Sequence, residues 1–365
     1  TGILILGAAL RLAHLGLSAY RGDECDFPRH IDASLVELWR NPPWHNQIPL
    51  GETICVLANR AIPGEATHLT VRLPFAIMGI LSIWAVYLFA RMAFDRRLAL
   101  IAAFMAAINP AAIYLSREAY HYSGVIFFST LTLCAFWRCW HKVYKAQLPS
   151  RGNWALWLIA GVLMAHTHMQ TWFIFGVQWL LLLLAGYQTF KGARDRFNQL
   201  LGPMAVVAVL FGIGVIRWVY RAFGEFSDSK SRFGARLGDW SGFLENIKDV
   251  LPGYTFGGWW PGLLLLAVVA GSAFWYYRRA GDIKRNVKRM GGLLLAEAIV
   301  LLLVIAVVGK GRVKATYFAC LFPLIATLAG FGVVGIAELL REYARLPRAW
   351  AVAAVLAGLA LYYAS

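Results

Sequence analysis

The sequence predicts an all-α polytopic membrane protein, and three observations predict it. Of 365 residues, 59% are hydrophobic and only 15% charged, against about 25% charged in a soluble domain. Apolar runs long enough to span a bilayer recur along the whole chain. They are continuously apolar and do not alternate with period two, which excludes a transmembrane β-barrel. The formal net charge of +16 does not point to nucleic acid, because the basic residues fall mostly in short loops between apolar runs, as positive-inside topology requires. Fifteen Trp and fifteen Tyr suit a protein with two membrane interfaces.

The first apolar run, 2–19, reads as a retained first span rather than a cleaved signal peptide. A cluster of charge follows it at once, Tyr20-Arg21-Gly22-Asp23-Glu24-Cys25-Asp26-Phe27-Pro28-Arg29-His30. Residues 20–70 form one long segment. Within it, 31–40 has Ile31, Leu35, Leu38 and Trp39 on one helical face, and Asn41-Pro42-Pro43 stops it. Residues 48–62 are apolar on one side but carry Glu52, Asn59 and Arg60. That run is short of the roughly 20 residues a span needs, so it reads as an interfacial helix.

With 48–62 lying in the interface, about eleven spans follow from the ~20-residue rule: 2–19, 71–90, 98–115, 120–140, 153–166, 170–187, 199–222, 258–277, 291–308, 315–340 and 348–365. One face then collects Arg91, Arg96, Arg97, Lys142, Lys145, Arg151, Lys191, Arg194, Arg196, Arg278, Arg279, Lys284, Arg285, Lys288, Arg289, Arg341, Arg345 and Arg348. Those loops are short and basic, so that face is cytoplasmic. Segment 20–70 becomes the first extracytoplasmic loop, with turns at 116–119 and 167–169, a second loop over 223–257 that could serve as a lid, and the basic hairpin Gly309-Lys310-Gly311-Arg312-Val313-Lys314. Multi-pass insertion in a bacterial inner membrane is the expected location.

The five cysteines show no metal spacing and no CxxC. Cys134 and Cys139 read as packing residues. Cys25 and Cys55 share the first external loop and either pair, in an oxidising compartment, or stay free.

Asp23, Glu24 and Asp26 are the strongest chemical candidates. Neighbouring carboxylates at a bilayer edge repel and are partly desolvated, which can poise one as a general base. The plain alternative is that they cap a helix or pair with Arg21 and Arg29. Arg72, Arg117 and the group Lys310, Arg312 and Lys314 stand at span ends on the same side. Each is either an interfacial cation or part of a grip on a phosphate. His45, His121 and His166-Thr167-His168 carry no zinc-type pattern and read first as interfacial hydrogen-bonding groups. No P-loop, GxSxG or Rossmann glycine pattern is present.

Four stretches in this order and spacing resemble the GT-C membrane glycosyltransferases, in the branch of the protein O-mannosyltransferases and the lipid A aminoarabinose transferase. Arg21-Gly22-Asp23-Glu24 resembles that family's Asp-Glu pair after the first span. His45-Asn46-Gln47-Ile48-Pro49-Leu50 resembles its His-Pro-Pro-Leu stretch. Arg72-Leu73-Pro74 resembles its Arg-Leu-Pro span, and Asn109-Pro110 through Ser116-Arg117-Glu118-Ala119-Tyr120-His121-Tyr122 its Ser-Arg-Glu-Ala-x-x-Tyr turn. The likeness is good over 1–180 and thin afterwards. Ile48 stands where the family has a proline, and Gly22 and Cys25 flank the acids unusually, which bears on the acceptor more than on the donor.

The resemblance implies a single GT-C domain over 1–365 and an inverting transfer of a sugar from a polyprenyl-phosphate donor to a hydroxyl on a protein, lipid or glycan. It implies Asp23 as general base, with Glu24 orienting the acceptor or tuning Asp23. It implies Arg72, Arg117, Lys310, Arg312 and Lys314 around the leaving phosphate, and Glu118, His45, Tyr122 and His168 around acceptor or sugar. No nucleotide or metal is required by this scheme. Three other readings stay open: a lipid-linked glycan ligase or polymerase, a transporter with charges in mid-span (Arg138, Arg217 and Glu297 are the ambiguous ones), and a non-catalytic assembly subunit.

Overall fold

The computed structural model describes residues 1–20, 22–25, 31–40, 48–62, 65–228, 271–278, 283–308 and 315–364. Among them every regular element is a helix. Helix α1 is Gly2–Leu12, followed by a 3-10 turn, Gly22–Cys25. Then come α2 (Leu35–Arg40), α3 (Leu50–Ala61), α4 (His68–Ala93), α5 (Arg96–Ile108), α6 (Pro110–Arg117), α7 (Tyr122–Tyr144), α8 (Arg151–Ala165), α9 (Thr171–Phe190) and α10 (Arg194–Asp228). After a helical stretch over 271–278, the chain continues through α11 (Ile283–Val308), a 3-10 turn (Ala315–Leu321), α12 (Phe322–Tyr343) and α13 (Arg348–Ala364).

Side-chain caps start several of these helices. Thr67 and Thr70 form a reciprocal capping box at the head of α4. Asp95 accepts from the Leu98 amide to open α5, and Ser150 accepts from the Asn153 amide to open α8. Asn109 accepts from the Ala112 amide to open α6, with Pro110 in the first turn, where its missing N–H costs nothing.

Helix α4 is the hub. It packs against α7, α5, α1, α6 and α3, and Val71, Phe75, Ala76, Val86, Phe89 and Ala90 on it are fully buried. Around it α12 lies on α5, α8 on α7, α10 on α8, and α11 on α9. Among the described residues five helices are long and apolar enough to cross a membrane: α4, α7, α9, residues 194–221 of α10, and 318–343. The pair α5–α6, bent by 56°, is a sixth if counted as one span. Fewer than the eleven expected spans therefore meet that standard among the described residues. The run 2–19 is helical only to Leu12, 98–115 is broken at Asn109-Pro110, and 315–340 begins as a 3-10 turn. Helix α3 has 12 residues, too short to cross a core of about 30 Å. Of the 258–277 run only 271 onwards is described, and of the 223–257 loop only the end of α10.

The bend between α5 and α6 has a physical cause. Pro110 has no N–H for the Ala106 carbonyl, and the break at Asn109 strands the Ala107 carbonyl as well. Arg11, reaching over from α1 and 1% exposed, supplies both donors: Nη2 to Ala106 O at 3.1 Å and Nη1 to Ala107 O at 2.9 Å. Its Nε donates to Ser116 Oγ at 3.3 Å. A second buried polar group links α8, α9 and α11. Trp157 Nε1 donates to Gln178 Oε1, and Gln178 Nε2 to Glu297 Oε1, each at 3.2 Å.

The basic turns meet at one end of the bundle. Arg289 lies 3.6 Å over the Tyr144 ring, Asn286 donates to Ala93 O at 2.6 Å, and Arg196 to Ala146 O at 3.1 Å. The acid turn 22–25 lies at the other end. Cys25 and Cys55 are free thiols, the first exposed and the second buried.

Candidate active site

The acid turn is fixed by one arginine. Arg72, in the second turn of α4 and 3% exposed, faces Glu24, also 3% exposed. Its Nε donates to Glu24 Oε1 at 2.5 Å and its Nη2 to Glu24 Oε2 at 2.8 Å, a two-pronged pair whose geometry only a guanidinium supplies. Nη1 donates to Leu15 O, Ser18 O and Ser18 Oγ, and Nη2 also to Ala19 O. All five N–H groups of Arg72 are thereby used. Glu24 Oε1 accepts a third bond, from the Ala119 amide at 2.8 Å. A single carboxylate thus ties the Gly22–Cys25 turn to α4 and to the turn between α6 and α7.

Other contacts gather around this knot. Tyr20 packs under the Arg72 guanidinium, 5.3 Å from its ring centroid, and against His68 at 4.3 Å. Burial pushes its phenol above the ordinary value. Arg117 donates to Leu10 O at 3.2 Å, and its other N–H groups have no partner among the described residues. Glu118, half-buried at the end of α6, lies within electrostatic reach of Arg72. Tyr120, His121, Tyr122 and His168 form one ring cluster, with His121 4.9 Å and Tyr122 6.0 Å from His168. Burial pushes the His168 imidazole down to about 4. Trp39 joins α2 to both neighbours, donating to Thr53 Oγ1 at 3.0 Å and packing 5.5 Å from His166.

Of the residues expected from sequence, the structure brings Glu24, Arg72 and Glu118 together, with Arg117 beside them and Tyr122 and His168 on the next turn. Asp23 lies in the same 3-10 turn as Glu24. His45, Lys310, Arg312 and Lys314 lie outside the described residues. Arg72, expected on a phosphate, has its donors committed to Glu24 and the chain after α1. Two site-end residues escaped the sequence reading of function. His121 is 5% exposed and its Nε2 has no hydrogen-bond partner among the described residues. Glu52 is 4% exposed on the inner face of α3. Their signal was polarity at positions where the flanking pattern demands burial. Among the described residues no three His, Cys, Asp or Glu side chains converge on a common point.

Residues 50–225 match the family described as dolichyl-phosphate-mannose-protein mannosyltransferase. That segment holds Arg72, Arg117, Glu118, Tyr122 and His168 and begins after the acid turn. No curated protein matches the chain. ArnT from Cupriavidus metallidurans, in a crystal structure with undecaprenyl phosphate bound, superposes with a TM-score of 0.60 at 14% identity, over 99% of this chain and 74% of that one. The Archaeoglobus fulgidus oligosaccharyltransferase tethered to an acceptor peptide superposes with a TM-score of 0.57 at 16% identity, over 99% of this chain and 53% of that one. The fold is the GT-C fold. AglB from the same archaeon, in complex with an inhibitory peptide and a dolichol-phosphate, gives 0.54 at 15% identity, over 99% and 54%. The chain thus spans about three quarters of the ArnT structure and about half of the oligosaccharyltransferase. At these identities the likeness to these proteins is one of architecture.

Proposed function

We propose that this GT-C protein is an inverting glycosyltransferase that moves a sugar from a polyprenyl-phosphate donor to a hydroxyl acceptor, with Asp23 as the general base. The observation that carries the reading is the anchored acid turn. Arg72 and the Ala119 amide neutralise and immobilise Glu24, and the 3-10 turn they anchor is the one whose sequence includes Asp23. A base must be held within hydrogen-bond reach of the proton it takes, and a rigid support is what positioning requires. The family match over 50–225 and the undecaprenyl phosphate in the ArnT structure support the donor class.

The chemistry balances without a nucleotide. The acceptor oxygen attacks the anomeric carbon, the carbon–oxygen bond to phosphate breaks, and its electron pair stays on the phosphate. The acceptor proton goes to Asp23. Glu24 acts through position, keeping the turn in place. Arg117, with N–H groups to spare, meets the charge growing on the leaving phosphate, together with Lys310, Arg312 and Lys314. Tyr122, Glu118, His168 and His45 border acceptor and sugar. The acid-turn end faces the extracytoplasmic side of a bacterial inner membrane, because the basic turns gather at the opposite end.

The test is a transfer assay in nanodiscs with undecaprenyl-phosphate sugars and a membrane extract as acceptor. Asp23→Asn is expected to slow transfer about 100-fold or more. Equal rates in the variant and the wild type would remove the base from Asp23 and favour the ligase reading.

A further inference from the structure

Helices α1, α4 and α5 leave a groove between them at the basic end of the bundle, away from the acid turn. Helix α1 approaches α4 closely at Gly7, where an added Cβ would run into the Ile83 side chain. On the Thr1 side of that contact a space of about 260 Å³ remains, far more than the ~10–15 Å³ that holds one water. Ile83 of α4 and Ala103 of α5 are buried at its base, and the small Ala103 side chain leaves the room. Leu4, Tyr87, Trp84 and Leu100 also line it. Trp84 is 46% and Leu100 41% exposed, so the groove opens outward, where a membrane-spanning chain meets lipid.

One charged side chain lines this apolar trough, Arg96, at the first position of α5. No hydrogen bond or ion pair holds its guanidinium among the described residues. The neighbouring Asp95 is engaged in capping, accepting from the Leu98 amide at 2.8 Å. Arg91 and Arg97 are exposed on the same α4–α5 hairpin and add to the positive field. Hydrocarbon walls ending at a free guanidinium match a molecule with an acyl chain and a phosphate, because a guanidinium grips phosphate oxygens in pairs. A free phosphate would leave the walls bare. No carboxylate lines the groove, so nothing in it meets the amine of a zwitterionic headgroup.

We propose that this groove is a binding site for an anionic glycerophospholipid of the leaflet at the basic end. One acyl chain lies against Ile83, Trp84, Leu100 and Ala103, and the headgroup phosphate sits on Arg96. The site is separate from the acid turn, and the proposal stands whether or not the transfer scheme does.

The experiment uses the full chain in nanodiscs of equal phosphatidylglycerol and phosphatidylcholine. A benzophenone side chain replaces Trp84, with a control at position 184, because Leu184 is 54% exposed on α9 and outside the groove. After irradiation, the adduct masses identify what each position touches. At position 84 phosphatidylglycerol adducts are expected to exceed phosphatidylcholine adducts about fivefold more than at position 184, the effect of one basic residue on an anionic lipid. Arg96→Gln, a change at an exposed position, is expected to remove that excess. Leu4→Trp, which fills the groove from α1, is expected to lower the yield of both lipid adducts at position 84. Equal lipid ratios at the two positions, or an excess that persists in Arg96→Gln, overturn the proposal. An unchanged yield in Leu4→Trp removes the acyl chain from the groove and overturns it too. A crosslink between two protein chains in place of a lipid adduct gives the groove to a second copy.

Discussion

Arg72 decides the site at the scale of single residues. Its five N–H groups hold a carboxylate and the chain leaving α1 in one network. Lysine keeps the charge but cannot make the two-pronged contact. Arg72→Lys is expected to lower the melting temperature in detergent and to abolish transfer, while Arg72→Ala, which leaves buried Glu24 unpaired, should cost about 3–5 kcal/mol. A melt of Arg72→Ala unchanged from wild type would show that the pair is ornamental. Sequence singled out Glu24 and Arg72 as residues of interest, since charge beside apolar runs stands out. It gave Arg72 a phosphate because sequence shows where a cation is and not which partner it has 48 residues away. Glu52 was visible only as a polar interruption of an interfacial helix, since its burial depends on α4 packing over it.

Among the elements, the α5–α6 bend does the most for the site. It ends at Arg117 and delivers the Ala119 amide to Glu24. Arg11 holds it by filling the two carbonyls that Pro110 and the break leave open. Arg11→Met keeps the volume and removes the donors, and each abandoned carbonyl costs about 1–3 kcal/mol when buried. Lower thermal stability is expected, with kcat falling more than KM rises, because the turn that pins Glu24 loosens. An unchanged kcat in a folded Arg11→Met variant would detach the bend from catalysis. The break itself was legible, since Asn109-Pro110 is a stop and a start signal in one dipeptide. The sequence reading ran a continuous span through it because hydropathy does not fall there. Arg11 was lost inside the 2–19 run for the same reason, although an arginine within an apolar run marks a buried partner.

The whole molecule is where sequence was most informative. Composition and run length predicted the helical membrane class, and the order of short motifs predicted the GT-C architecture that the superpositions show. Span number was less legible, because run length does not reveal where a 3-10 turn or a bend interrupts a helix. The proposed orientation has a direct test in the cysteines. Cys25 is exposed, and Cys55, Cys134, Cys139 and Cys320 are buried. A membrane-impermeant maleimide is expected to label one thiol, Cys25, in right-side-out vesicles and none in inverted vesicles. Labelling of Cys25 only in inverted vesicles would reverse the topology.

The polar thread from Trp157 through Gln178 to Glu297 has a consequence for how such a chain tolerates change in length. Inserting one residue in α11 ahead of Glu297 turns the N-terminal part of the helix by about 100° and shifts it by about 1.5 Å relative to the C-terminal part. Either the carboxyl swings away from Gln178 toward acyl chains, or the basic turn at the start of α11 leaves its place against Tyr144. Insertions and deletions between Arg289 and Glu297 are thereby disfavoured, and that part of α11 has its length fixed by what those two residues must reach.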